Sequence, residues 1–255
     1  MRYFLEISYL GTNYHGWQIQ PNSITIQGVL EDCISKLLKL KIKLVGAGRT
    51  DTGVHANQMF AHFDIDDKIN NTDQMIYKLN SFLPHEIVVK KIFQVNNKAH
   101  ARFDAVCRSY EYFISTEKNP FELNKSYYLK NKLDLKKMNE CANLLFNYVE
   151  FKSFSKSKSD VKTYNCKIFK ASWEIIEGKL CFKIKADRFL RNMVRAIVGT
   201  LIEVGLGTIS KDDFEKIINE RDRKLAGYSV PAHGLFLKEI NYNWDEILVN
   251  GQKKI

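Results

Sequence analysis

The sequence predicts an α+β fold built from two ferredoxin-like halves. Strand-like and helix-like segments alternate along the chain, and the first half shows the order β-α-β-β-α-β. The order of elements in the second half echoes the first, although we see no residue-level repeat between them. We therefore assign residues 1–104 to an N-terminal subdomain and residues 105–255 to a C-terminal subdomain.

The first half opens with a strand over residues 2–10, because apolar side chains alternate there with Glu6 and Ser8. An apolar stripe at helical spacing then runs from Ile26 to Leu38, with Thr25 placed to cap the helix. The remaining elements are predicted to be strands over residues 43–47 and 58–65, a helix capped by Thr72 and carrying Met75, Ile76, Leu79 and Phe82, and a strand over residues 87–95. This order is the split β-α-β pattern.

The second half opens with a strand over residues 106–115, where Arg108, Tyr110 and Tyr112 share one face. The other predicted elements are a helix from about residue 135 to 146 capped by Asp134, strands over 167–176 and 180–186, a long helix over 189–204, a short helix over 212–219 and a strand over 235–240. Residues 152–162 resemble a flexible basic loop.

The charge of the chain favours a polyanionic partner. Its 255 residues carry 39 Lys plus Arg against 29 Asp plus Glu, a formal net charge of +10. A lysine-rich surface that contacts only solvent would give the same charge balance. Charge alone therefore does not distinguish a protein that binds nucleic acid from one that does not.

The cysteines and histidines indicate neither disulfides nor a metal. The five cysteines include no C-x-x-C pair, which fits a reducing cytoplasm, and the six histidines show no metal-ligand spacing. No apolar run is long enough for a signal peptide or a membrane span. We expect a soluble cytoplasmic protein without a metal ion or membrane association.

The segment GAGRTDTGVHA, residues 46–56, is the first candidate site. Its glycines allow a tightly shaped loop that would present Arg49, Thr50 and Asp51 after a strand. The segment lacks the ending of a phosphate-binding loop, so we expect no nucleotide cofactor. A lone carboxylate can act as nucleophile, general base or arginine anchor, and a simple turn with Asp51 bonded to its own backbone is an equal alternative.

The segment ADRFLRNMVRAIVGTLIEVG is the second candidate. At about 100° per residue, a helix would place Arg188, Arg191 and Arg195 in one narrow wedge opposite its apolar side chains. Such a wedge is more often an ordinary solvated face, but this lysine-rich chain uses arginine three times here. Guanidinium groups suit bidentate contact with carboxylate or phosphate oxygens.

Two further segments mix polar and aromatic side chains: those of the first could contact phosphates and bases or fill a core, and those of the second could line a cleft or merely fill one. They are ARFDAVCRSYEYFIS, with Arg102, Arg108, Tyr110 and Tyr112, and YLGTNYHGWQIQ, with His15, Trp17 and Gln18. Basic groups beside aromatic faces contact phosphates and stack bases. Alternating aromatic residues on a strand are nevertheless more often part of a core.

Together these segments resemble the tRNA pseudouridine synthase A family over nearly the whole chain. The matching strings, in order, are YLGTNYHGWQIQ with TIQGVLE, GAGRTDTGVHA, HARFDAVCRSYEYFI, ADRFLRNMVRAIVGTLIEVG and RDRKLAGYSVPAHGLFLKEI. The resemblance implies conversion of uridine to pseudouridine at positions 38, 39 and 40 in the anticodon stem-loop of tRNA. It also implies a mainly antiparallel central sheet with the catalytic cleft between the two halves, no cofactor, and a homodimer.

The resemblance also implies roles for particular residues. Asp51 would be the catalytic carboxylate, Tyr110 would lie against the target base, and Arg195 would pair with Asp51 and keep it ionised. The further residues expected to contact the tRNA are Arg49, Arg108, Arg188, Arg191, Gln18 and His55. A non-catalytic tRNA-binding protein and a small-molecule nucleosidase are the alternative functions.

Overall fold

The computed structural model of the chain describes residues 1–157 and 161–249. These residues form two compact units: unit 1 contains Met1–Val106 and the chain from Leu237 onward, and unit 2 contains Cys107–Phe236. The first division falls two residues after the one assigned from the sequence. Residues 237–249 group with unit 1 and not with the predicted C-terminal subdomain.

Unit 1 has the predicted order of elements. They are β1 (Arg2–Tyr9), α1 (Ile26–Leu38), β2 (Val45–Gly46), β3 (His55–Asp64), α2 (Thr72–Phe82) and β4 (Ile87–Val95). The strands lie in the order β4-β1-β3-β2, and each neighbouring pair is antiparallel. Because β3 lies between β1 and β2, this is the split β-α-β arrangement predicted from the sequence.

The two helices of unit 1 begin at capped residues. The Thr25 side chain accepts a hydrogen bond from the Gly28 N–H, as predicted. The predicted cap at Thr72 is wrong: Asn71 caps α2 by accepting from the Gln74 N–H, and Thr72 is the first helical residue. Both residue types cap helices well, and the extended backbone that a cap requires falls on Asn71.

Both faces of β1 are buried, which is more than its alternating pattern predicts. Leu5 and Ile7 are fully buried, and so is Phe4 on the opposite face. Phe4 lies edge-on to Tyr242, with ring centroids 5.8 Å apart. Tyr242 therefore packs on the second face of β1, and each large apolar side chain buried this way contributes about 1.5–3 kcal/mol.

Unit 2 and the end of the chain contain the remaining elements. They are β5 (Ala105–Ser115), β6 (Tyr127–Tyr128), α3 (Leu135–Leu144), β7 (Ile168–Ile176), β8 (Lys179–Ala186), α4 (Met193–Gly205), α5 (Lys211–Glu220), β9 (Leu235–Tyr242) and α6 (Trp244–Ile247), with 3-10 helices at Pro120–Glu122, Leu145–Asn147, Lys152–Phe154 and Ala232–Gly234. Strand β8 pairs antiparallel with both β5 and β7, and β6 runs parallel to β5. Strand β9 begins in unit 2 and continues into unit 1.

The long helix of unit 2 begins later than predicted. Helix α4 starts at Met193 rather than at residue 189, because Asn192 has a left-handed backbone with φ of 67°. Before it, the Asp187 carboxylate accepts from the Arg188 and Lys167 N–H groups, each at 2.7 Å. The three-arginine helix face is therefore wrong, since Arg188 and Arg191 precede the helix.

The predicted flexible loop over residues 152–162 is partly ordered. Lys152–Phe154 form a 3-10 helix, Phe154 is fully buried, and the Ser153 hydroxyl donates to the Ile217 carbonyl at 2.6 Å. Residues 158–160 lie outside the described part of the chain. The beginning of this segment is therefore packed rather than flexible.

The described ranges contain no helix long and apolar enough to cross a membrane. Within the same ranges, no cluster of His, Cys, Asp or Glu side chains is suited to hold a metal ion.

A buried histidine in β3 makes the stability of unit 1 depend on pH. The pKa of His62 is lowered from 6.5 to about 4, chiefly by burial; the neighbouring Arg2 and His100 also lower it, whereas Asp64 and Asp104 raise it. The unfolded chain then binds more protons than the folded chain between these two values.

We expect the free energy of unfolding to fall by up to about 3 kcal/mol as the pH drops from about 6.5 through 4. Urea unfolding of wild type and His62→Asn at several pH values measures this effect. Asparagine keeps a side-chain acceptor and does not titrate. The free energy of unfolding of the variant should therefore depend less on pH in this range than that of wild type. Identical slopes would show that His62 is not the titrating group.

Candidate active site

The Asp51 loop, which we define as residues 47–54, joins β2 to β3. Asp51 is half-buried, Arg49 is exposed and Thr50 is buried. The Val54 N–H donates to the Asp51 carbonyl at 3.1 Å, and Gly53 has φ of 80°, so a tight turn follows Asp51 directly. The predicted rigid presentation of this carboxylate therefore has a structural basis.

Residues 9–17 hold the Asp51 loop from one side. The Tyr9 hydroxyl lies 2.9 Å from the Thr50 hydroxyl, and the Trp17 N–H donates to the Thr50 carbonyl at 3.1 Å. The Gly53 N–H donates to the Tyr14 carbonyl at 3.3 Å. Residues before and after Asp51 are thus both fixed by hydrogen bonds to one segment.

Two glycines permit this segment to approach the loop closely. A Cβ on Gly16, whose φ is 82°, would lie 2.4 Å from the Thr50 carbonyl oxygen. A Cβ on Gly11 would lie 2.0 Å from the Val54 carbonyl oxygen. Any side chain at either position would therefore push the Asp51 loop away.

The residues around this loop divide into buried and exposed groups. His55, a predicted substrate contact, is only 1% exposed, and its Nδ1 accepts from the Gly11 N–H at 2.9 Å. Trp17 is buried and packs against Gly46, so it fills the fold. Gln18 and His15 are exposed. Of the four side chains, only the last two point to solvent.

Tyr110 lies on β5 of unit 2 and is half-buried. Its ring meets the Phe189 ring edge-on, with centroids 5.1 Å apart and planes at 87°. Arg108, two residues earlier on the same face, donates from Nη1 to the Asp187 carbonyl at 2.9 Å. The segment before α4 thus contacts both candidate residues of β5.

Tyr112 belongs to the core rather than to a site. It is fully buried, its hydroxyl donates to the Pro231 carbonyl at 2.9 Å, and burial raises its pKa well above the usual range. The core interpretation is therefore right for Tyr112, while the half-buried Tyr110 is still a candidate.

Arg195 lies in the first turn of α4 and is half-buried. Its Nε donates to the Val230 carbonyl at 2.7 Å, and the Val230 N–H donates back to the Arg195 carbonyl at 3.3 Å. The first bond holds the guanidinium against the chain before β9, and the second holds the helix backbone there. Only Arg195 of the three predicted arginines belongs to α4.

Arg223, which was not among the predicted site residues, organises the segment that holds Arg195. Its guanidinium donates to the carbonyls of Ala226 and Gly227 at 3.1 and 3.0 Å and to the Ser229 hydroxyl at 2.9 Å. Burial lowers the pKa of Arg223. The only signal for this residue was its place in the string RDRKLAGYSVP.

The other predicted RNA contacts differ in exposure. Arg188 is half-buried, while Arg191 and Arg49 are exposed. The backbone carbonyl of Arg191 accepts from the Lys156 N–H at 3.0 Å. These arginines can meet phosphate oxygens, but they do not form a single helical surface.

Comparisons with known proteins identify a matching family. The model of the tRNA pseudouridine synthase family matches residues 7–104 and 149–243. A protein of Bacteroides fragilis named tRNA pseudouridine synthase A is 52% identical over 242 residues, which covers 94% of this chain and 96% of that protein. The Bacillus subtilis protein of the same name is 38% identical over 247 residues, which covers 95% of this chain and 100% of that protein.

Proposed function

Because this chain belongs to the tRNA pseudouridine synthase family, we propose that it isomerises uridine to pseudouridine at positions 38, 39 and 40 of the tRNA anticodon stem-loop. The observation that supports this proposal best is the half-buried Asp51 on a turn fixed at Thr50 and Gly53. Such anchoring holds a reactive carboxylate in one pose before the substrate arrives.

The reaction is balanced without a co-reactant. The bond from uracil N1 to C1′ breaks, the base rotates, a bond from C5 to C1′ forms, and the C5 proton is lost while N1 gains one. Neither an oxidant nor a group donor is consumed. An ionised Asp51 could add to the sugar or to C6 of the base, or could take a proton from the ribose.

We propose that the Tyr110 ring lies against the target base. The uridine must leave its stack before it reacts, which costs a few kcal/mol, and an aromatic ring can cover the extracted base. Tyr110 is half-buried and supported edge-on by Phe189, so its ring is braced without being enclosed. Arg195 is proposed, from its family motif, as the cationic partner of the Asp51 carboxylate.

The basic charge of the chain supports tRNA binding, and we propose that the protein acts in the cytoplasm. The net charge of +10 and the exposed Arg49 and Arg191 provide contacts to phosphate oxygens. His55 is better suited to position the Asp51 loop, because its Nδ1 is bonded inside unit 1. We further propose a homodimer, as the family resemblance implies, and sedimentation with and without tRNA tests it.

Pseudouridine mapping tests the proposed function. Purified protein is incubated with an unmodified tRNA transcript, and carbodiimide treatment with primer extension then locates pseudouridine at each position. Modification confined to positions 38, 39 and 40 is expected. Binding without modification would indicate a non-catalytic tRNA-binding protein, and release of free uracil would indicate a nucleosidase.

Substitutions at Tyr110 should distinguish the contribution of its ring to activity from that of its hydroxyl. Tyr110→Phe keeps the stacking surface and should retain part of the activity, whereas Tyr110→Ala should lose about tenfold or more in kcat/KM. Single-turnover kinetics with one tRNA transcript measure both variants. Near-normal rates in both would remove Tyr110 from the site.

A further inference from the structure

Residues 99–104 form a turn between β4 and β5, which we call the Phe103 turn. The backbone N–H groups of all six residues donate hydrogen bonds. Their acceptors, in order from Ala99 to Asp104, are the Asn96 carbonyl, the Asp104 carboxylate, His62 Nδ1, His100 Nδ1 twice, and the His100 carbonyl. A turn with all of its donors satisfied has little freedom to rearrange.

Side chains from elsewhere in unit 1 also fix this turn. Arg2 donates from Nη1 to the Ala99 carbonyl at 2.7 Å, and the Tyr242 hydroxyl donates to the Ala101 carbonyl. Burial lowers the pKa of His62 and of His100, which keeps both rings neutral so that each Nδ1 can accept. The turn is thus tied to both ends of unit 1.

This rigid turn presents a large aromatic ring to solvent. Phe103 is 74% exposed, and its ring packs on the His100 imidazole with centroids 4.2 Å apart and planes at 33°. The Arg102 guanidinium carbon lies 5.8 Å from the same ring centroid. A single exposed apolar side chain is ordinary on a protein surface, but the Phe103 ring packs on a fixed neighbouring ring and lies beside a cation.

We propose that Phe103, together with Arg102, is a stacking platform for an unpaired nucleobase of the bound tRNA. Sequence-tolerant RNA contacts combine an aromatic face, which stacks on a base, with an arginine that neutralises phosphate. The strongly basic chain favours such an occupant over a protein surface. This inference rests on the proposed function only in that tRNA is the ligand.

Equilibrium binding to an unmodified tRNA transcript tests the platform. Phe103→Ala should lower the affinity for tRNA about five- to a hundredfold, because it removes the ring on which a base would stack. Phe103→Trp keeps a stacking face and should bind as well as wild type. Phe82→Ala is the matched control, because Phe82 is 72% exposed in the same unit, on α2, and should leave affinity unchanged.

Two further measurements separate stacking from a structural role. Phe103→Leu keeps apolar volume on the turn, so its thermal unfolding midpoint should match wild type while its affinity falls as in Phe103→Ala. Arg102→Gln should reduce the slope of log affinity against log salt by about 0.7 to 0.9 per lost phosphate contact, whereas the Phe103 variants should keep the wild-type slope.

Several results would overturn the platform. Equal tRNA affinity in Phe103→Ala and Phe82→Ala would do so, as would full affinity in Phe103→Leu. A change in sedimenting mass with unchanged tRNA affinity would make Phe103 a contact between protein chains. Suppose that wild-type protein forms pseudouridine and the Phe103 variants bind tRNA with normal affinity. That result would refute the platform alone and leave the proposed function intact.

Discussion

Replacing Asp51 with asparagine should lower the single-turnover rate of pseudouridine formation by at least about 10³-fold. Asparagine has nearly the same shape but is neither a nucleophile nor a base at neutral pH. The Val54 N–H bonds to the backbone carbonyl of residue 51, and Thr50 and Gly53 are bonded to residues 9–17 through their own atoms, so these bonds do not require the carboxylate. The affinity for tRNA should stay within a few-fold of wild type.

A carboxylate elsewhere in unit 1 provides the control for this experiment. Asp66 follows β3 and is exposed, so Asp66→Asn removes the same charge without touching the Asp51 loop. Its rate should equal that of wild type. An Asp51→Asn protein with wild-type turnover would show that this carboxylate is not catalytic.

Replacing Arg195 with alanine should give the second largest loss, about 10²- to 10³-fold in kcat, with little change in tRNA affinity. The side chain is half-buried and its Nε is bonded to the Val230 carbonyl, so the guanidinium is held in a fixed orientation. Arg195→Lys should not restore the rate, because lysine lacks the planar fork and the Nε donor.

The control for the Arg195 variants is a substitution of an arginine that lies outside α4. Arg191 is exposed and precedes α4, so Arg191→Ala should weaken binding and its salt dependence without lowering kcat at saturating tRNA. Equal losses in affinity and kcat for Arg195→Ala would make Arg195 a phosphate contact. A double-mutant cycle with Asp51→Asn tests their predicted pairing, since independent residues give additive effects.

The order of elements was predictable because it depends on local periodicity. The stripe from Ile26 to Leu38 fixed α1 at both ends. The start of α4 was not predictable in the same way. Phe189 and Leu190 fit an apolar helical pattern, but Asn192 adopts a left-handed backbone and Asp187 bonds the chain before it.

The candidate site shows a similar division. Glycine spacing around Asp51 indicated a shaped loop, and the structure describes a turn there. The partners of that loop come from residues about 40 positions earlier, such as Tyr9. Contacts between distant segments leave no periodic trace in the sequence, so the buried positions of Trp17 and His55 could not be predicted.

The return of the C-terminal chain to unit 1 affects when that unit can fold during synthesis. Tyr242 and Trp244 lie edge-on to Phe60, with ring centroids 5.3 and 5.4 Å away. In the sequence, unit 2 is therefore an insertion within unit 1. The ribosome completes this insertion before it adds Tyr242 and Trp244, the partners of Phe60. Tyr242 and Trp244 are synthesised after the strand that carries Phe60, so a chain truncated before Leu237 would leave Phe60 without these two partners.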